Sequence, residues 1–133
     1  MFTVEQIQTA HLKVKSGADF PSYIKEIKAL GVVAYDAYVS DGHIDYRGAN
    51  GYLVQEPAKY EPLVISESVD YKIFKTELKA HQQGKTDYST FIRMCSDTGI
   101  EKWKISMDEM TCSYYDRTGN EILVEDIPLA EEL

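Results

Sequence analysis

The chain has three histidines, the side chains whose charge changes nearest neutral pH, at positions 11, 43 and 81. His43 has the richest chemical setting, Asp41-Gly42-His43-Ile44-Asp45. Side chains two apart on a strand share a face, so His43 and Asp45 would point together, with Asp41 beside them in a turn. An imidazole with two carboxylates suits a divalent metal, or acid–base chemistry with His43 as proton carrier. A metal would need further donors, and no second cluster of His, Cys and acid at ligand spacing offers them. The same five residues read more simply as a hairpin tip facing water, so neither a metal nor a cofactor is expected.

His11 and His81 form a second pair. Each follows an alanine, Ala10 or Ala80, on the apolar face of a helical stretch. They would meet only if two halves of the chain were related by a twofold; otherwise each packs in the core and bonds a backbone group. Nucleophiles are harder to find. Neither Cys95 nor Cys112 has an adjacent basic residue to activate it. No serine occupies a nucleophile elbow, and Gly48-Ala49-Asn50-Gly51 lacks the lysine and helix of a phosphate loop. The sequence therefore leans away from an enzyme.

The elements that must carry these residues occur twice. Residues 19–46 and 87–114 share a pattern at an offset of 68 positions. Phe20, Tyr23, Ile24, Ile27 and Leu30 mark one face of a helix, and Tyr88, Phe91, Ile92 and Cys95 occupy the same rungs in the second stretch. Gly31 and Gly99 stand where a left-handed helix cap belongs. Tyr35, Ala37 and Val39 then alternate with polar neighbours, as do Trp103, Ile105 and Met107. Ile44 and Tyr46 answer to Cys112 and Tyr114. Beyond Tyr46 the frame slips by two, so that Leu53 and Val54 answer to Leu123 and Val124.

This predicts an α+β fold, an internally duplicated helix-helix-strand-strand-strand unit with an antiparallel sheet and helices packed on one side. It is read as one domain over 1–133, with halves at about 1–56 and 69–128 and a connector at 57–68. A first helix is expected over 4–15, opened by a Thr3/Gln6 capping box, and Asp19 is expected to cap the second. Ser16-Gly17-Ala18 turns the chain between them. Asp41-Gly42 makes the first hairpin. Leu63-Val64-Ile65 is read as a short edge strand after Pro62, and the acidic tail as frayed. Cys95 and Cys112 fall on rungs held by isoleucine in the first half, which makes them core hydrophobes rather than a disulfide.

A net charge of −8 disfavours direct binding to nucleic acid or anionic lipid. It leaves open a basic partner, or an acidic mimic of nucleic acid that blocks a DNA-binding protein. No apolar run approaches a membrane span and the N-terminus lacks the features of a signal peptide, so a cytoplasmic location is expected. Ten tyrosines are many for 133 residues. Tyr23, Tyr35, Tyr46, Tyr71, Tyr88 and Tyr114 fit core rungs, while Tyr38, Tyr52, Tyr60 and Tyr115 are free to face outward. Exposed tyrosine among acids and glycine suits recognition of a protein or small ligand. The expected site is Tyr38, Asp41, His43, Tyr52 and Tyr60, in a binding protein compatible with a homodimer.

Lys15-Ser16-Gly17-Ala18-Asp19-Phe20-Pro21, Ser40-Asp41-Gly42-His43, the run from His81 to Tyr88, Gly99-Ile100-Glu101-Lys102-Trp103 and the run from Met110 to Asp116 carry a resemblance. The chain resembles a small bacterial family of unknown function often labelled "phage envelope protein", over about 1–128. The resemblance implies a bacterial or prophage-linked origin and brings with it no activity, cofactor or catalytic residue.

Overall fold

The computed structural model describes residues 1–15 and 19–127. The expected turn at 16–18 and the acidic tail lie outside them. Each half runs helix, helix, strand, strand, strand: α1 (Val4–His11), α2 (Phe20–Leu30), β1 (Ala34–Tyr38), β2 (Ile44–Arg47) and β3 (Leu53–Glu56), then α3 (Tyr71–Gln82), α4 (Tyr88–Asp97), β4 (Lys102–Ser106), β5 (Thr111–Tyr115) and β6 (Glu121–Asp126). The strands form one antiparallel sheet in the order β3-β2-β1-β4-β5-β6. The fold is α+β.

Local chemistry accounts for the helix ends. Thr3 and Gln6 make the reciprocal capping box of α1, with the Gln6 N–H donating to Thr3 Oγ1 at 3.2 Å and the Thr3 N–H to Gln6 Oε1 at 2.9 Å. The helix closes at His11, short of the expected 15, in a turn in which the Leu12 and Lys13 N–H groups reach back to Gln8 and Ala10. Asp19 does not cap α2; its carboxylate accepts from the Lys15 N–H instead, at 2.9 Å. Asp70 and Asp87 do cap α3 and α4. Gly31 and Gly99 both take positive φ, and the next residue donates back alike in the two halves, Val32 to the Ile27 carbonyl and Ile100 to the Cys95 carbonyl. A Cβ on Gly99 would stand 2.7 Å from the Ser68 carbonyl oxygen, so the connector can pass α4 only because the residue is glycine.

The two halves match in more than order. The central pair joins Tyr35 to Ile105, Asp36 to Lys104 and Ala37 to Trp103, a register unchanged when each residue is replaced by its counterpart 68 positions away. The same shift turns the β1–β2 pairs into the β4–β5 pairs. Ile27 and Cys95 are both fully buried, and Ile44 and Cys112 nearly so. The third strand departs from expectation: Val54 lies opposite Tyr46 while Leu123, not Val124, lies opposite Tyr114, and the ladder shifts at Tyr114/Tyr115. The frame therefore slips by one, which puts Leu53 on the outer face and Leu123 on the core face. A slip of one residue exchanges the faces of a strand.

Tyr35, Ala37, Ile44, Tyr46, Ile105, Cys112 and Tyr114 share the core with Ile7, Tyr23, Ile24, Ile27, Phe74, Leu78, Phe91 and Ile92, so the described helices α1 to α4 bury themselves on one face of the sheet. Full burial of an isoleucine such as Ile24 or Ile27 contributes roughly 1.5–3 kcal/mol. Tyr71, expected on a core rung, is exposed at the first turn of α3, where the helix end overhangs the core. Tyr88 is also exposed as a whole residue, but its phenol reaches in toward Tyr23, Tyr60 and Cys95, and burial raises its pKa. The connector forms no strand at Leu63-Val64-Ile65. Its N–H groups are spent singly, Leu63 to Ser40 and Ser66 to Ser96, so it crosses from the first hairpin to the end of α4 without lying along a strand. No described helix is long and apolar enough to cross a membrane.

Candidate functional site

With the helices on one side, the other face of the sheet is left to solvent, and the ladder arranges it in rows. The middle row runs Gln55, Asp45, Asp36, Lys104, Ser113, Val124 across the six strands. On one side of it lie Tyr38, Lys102 and Tyr115; on the other, Leu53, Arg47, Ala34, Ser106, Thr111 and Asp126. The face is mixed in sign, unlike the single-sign surface of a nucleic-acid mimic.

Asp36 is its centre. Its side chain is only 4% exposed although it belongs to the open face, because the long side chains around it close over it. Asp45 stands directly opposite, a like-charge pairing that is unfavourable unless each carboxylate is otherwise engaged. The Arg47 guanidinium donates to Asp36 Oδ2 at 2.7 Å, and the Gln55 amide to Asp45 Oδ1 at 2.7 Å. Hydrogen bonding to Asp36 raises the Arg47 pKa further. Among the described residues Asp36 Oδ1 has no hydrogen-bond donor; the Lys102 ammonium stands 3.9 Å away. That ammonium lies 5.5 Å from the Tyr38 ring centroid and 5.3 Å from that of Tyr115, between two aromatic faces.

The first hairpin adds the rest. Its loop is four residues rather than a two-residue turn: Tyr38 accepts from the Gly42 N–H and donates to the His43 carbonyl. Asp41 Oδ1 accepts from both the His43 N–H, at 3.0 Å, and His43 Nδ1, at 2.5 Å. Although partial burial works against it, these two bonds hold the Asp41 carboxyl below its usual pKa. The imidazole stacks on Tyr38, 4.1 Å between centroids and 9° from parallel. Burial, reinforced by Asp36 and Asp45, raises the Tyr38 phenol. His43 is thus fixed at three points, its remaining nitrogen Nε2.

Of the expected site residues, Tyr38, Asp41 and His43 come together. Tyr60 donates to the Val39 carbonyl at 2.6 Å and packs against Gly42, holding the loop from the connector side. Tyr52 donates to the Phe2 carbonyl at 2.7 Å, its ring edge-on to Phe2, on the core side. Asp45 does not join Asp41 and His43 as a ligand set, and no group of three or more His, Cys, Asp or Glu suited to a metal occurs among the described residues. Asp36, Arg47, Lys102 and Lys104 escaped the sequence reading. For Asp36 and Lys104 the signal was the 68-residue offset, which makes them counterparts; Arg47 and Lys102 have no such signal, since their counterparts are Tyr115 and Ala34.

The other candidates settle into structural roles. His11 lies edge-on to Tyr23 and His81 stacks on Phe91 while its Nδ1 meets Thr86, so the two histidines hold separate helix pairs and do not meet. Both cysteines are free and buried, and burial pushes the Cys112 thiol up to about 12 and the Cys95 thiol higher still. Glu56, buried at the start of the connector, is satisfied by Lys59 at 2.7 Å and Gln8 at 3.0 Å.

Fold and site together define an α+β protein with an open, ordered, polar and aromatic sheet face. Residues 8–126 match the family described as protein of unknown function (DUF1398), and the chain belongs to that family. No curated protein matches it.

Proposed function

We propose that this is a cytosolic, non-enzymatic recognition protein that binds a protein partner on the open face of its sheet. The observation that carries the reading is the aromatic and charged centre of that face: Tyr38 with His43, Lys102 between Tyr38 and Tyr115, and Arg47 locked to Asp36. Tyrosine and arginine dominate binding energy at protein interfaces, and side chains already ordered lose less entropy on association. Exposed Leu53 and Val124 at the two edges would widen the contact. Tyr38, Asp41 and His43 contribute from the hairpin, with Tyr60 and Tyr52 bracing its loops.

A photo-crosslinking residue at Ser113 tests this, with the exposed Lys28 on α2 as the comparison position. A discrete product from Ser113, lost in Tyr38→Ala, is the expected result; a product of twice the chain mass would identify the partner as a second copy. Crosslinking from position 28 alone would refute the reading.

The Asp41–His43 pair favours a second one, in which the oriented imidazole acts as a general base through Nε2. It requires a bound substrate at Nε2; His43→Gln would then abolish turnover, whereas under the recognition reading it weakens crosslinking at Ser113.

A further inference from the structure

We propose that a lysine-lined cleft on α3, remote in kind from the sheet face, binds a small, multiply charged anion of the phosphate-bearing class. Lys72, Lys75 and Lys79 recur at i, i+3 and i+7 on the side of α3 turned away from buried Phe74 and Leu78. They line a shallow cleft of about 550 Å³ that is largely open to solvent, which suits a small, hydrophilic ligand. Lys85 completes it from beyond the helix. Gly84, at φ 80°, reverses the chain, and the Lys85 N–H bonds the Ala80 carbonyl at 3.0 Å, which brings the fourth lysine back to the same cleft.

Among the described residues no carboxylate lines this cleft and none of its four ammonium groups makes an ion pair. Five cations elsewhere, Lys13, Arg47, Lys59, Lys102 and Arg117, each lie beside an acid; Lys28, Arg93 and Lys104 make no ion pair among the described residues either, but they do not converge on one volume. In a protein with 22 acidic residues against 14 basic ones, four converging unpaired lysines run against the average. Like charges at i, i+3 and i, i+4 also work against the helix that carries them. An anion between them removes the repulsion. Lysine serves phosphate as a mobile point charge, and several around one volume suit a group with two or more negative charges. Exposed Tyr71 at the cleft's end, with Lys75 Nζ 5.8 Å from its ring centroid, offers an aromatic face for the remainder of the ligand.

The test is a titration of the isotope-labelled full chain with sodium pyrophosphate at constant ionic strength, followed by amide chemical shifts. Saturable shifts confined to residues 71–86 are expected, with Lys75→Gln and Lys79→Gln each weakening binding roughly tenfold, as loss of one charge-assisted contact does. Lys28→Gln on α2 should leave affinity unchanged. All three positions are exposed, and circular dichroism verifies that each variant is folded. Shifts spread over every lysine-bearing surface, or undiminished affinity in the Lys75→Gln/Lys79→Gln double variant, overturn the site. Equal affinity for citrate at the same residues overturns the phosphate class.

Discussion

Asp36 shows why a carboxylate can sit in the middle of a sheet at all. Desolvating it is unfavourable, and it is tolerated because Arg47 meets one oxygen directly while Lys102 stands over the other. Arg47 is half exposed, so the pair falls between a surface ion pair and a buried one. Removing the guanidinium leaves a buried carboxylate with only a distant ammonium beside it. Arg47→Ala is therefore expected to destabilise the fold by about 1–3 kcal/mol, measured as a shift in urea midpoint with unchanged slope. Arg47→Lys should recover part of the loss, because an ammonium can reach Oδ2 but lacks the planar fork that holds it there. A neutral result for Arg47→Ala would mean that the Asp36 contact adds nothing to the fold.

At the scale of the element, each helix pair is closed by a histidine against an aromatic ring, His11 on Tyr23 and His81 on Phe91. Burial lowers both imidazole pKa values from 6.5; Lys59 adds to the effect at His11, and the Thr86 backbone opposes it at His81. The folded chain thus resists protonation that the unfolded chain accepts. The stability these residues contribute is whole above about pH 6.5 and is lost as pH falls toward the folded values. His11 is exposed and His81 only partly buried, so the effect is small: Tm should fall slightly between about pH 7.5 and 5.5, and the His11→Gln/His81→Gln variant should show a shallower fall. An unchanged slope would place the titration elsewhere. These contacts also show what sequence could convey. The rungs of α2 and α4, the glycine stops and the alternation in β1 and β4 are local patterns, and all were legible. So was the meeting of Tyr38, Asp41 and His43, which lie within six residues. Arg47 over Asp36 and Lys102 between two tyrosines depend on which strands become neighbours, and that is settled by long-range pairing. Tyr71 misled because helical spacing marks a face but not where the core ends along the helix.

The whole molecule turns on the junction of β1 with β4. Among the described residues both halves have the same order of elements, and neither has more than three strands of its own. A unit of about 60 residues buries too small a share of its surface to be securely stable. The junction register is unchanged on exchanging the halves, so geometry alone would let β1 pair with β1 of another copy, or β4 with β4. Chemistry opposes both. On the axis of that exchange Asp36 faces Lys104. A pair of first halves would place Asp36 against Asp36, and a pair of second halves Lys104 against Lys104, each unfavourable by roughly 0.2–1 kcal/mol. Trp103, which lies opposite small Ala37, would instead oppose Ile105. Expressed as separate chains, 1–68 and 69–133 should each be largely unfolded. Mixed, they should associate one to one and recover the circular dichroism of the intact protein, with sedimentation giving the stoichiometry. Lys104→Asp in the second chain should weaken that association, and Asp36→Lys in the first should restore it against the changed partner. If either half alone sediments as a folded monomer, the central strand pair does not organise the fold, and the charge exchange loses its meaning.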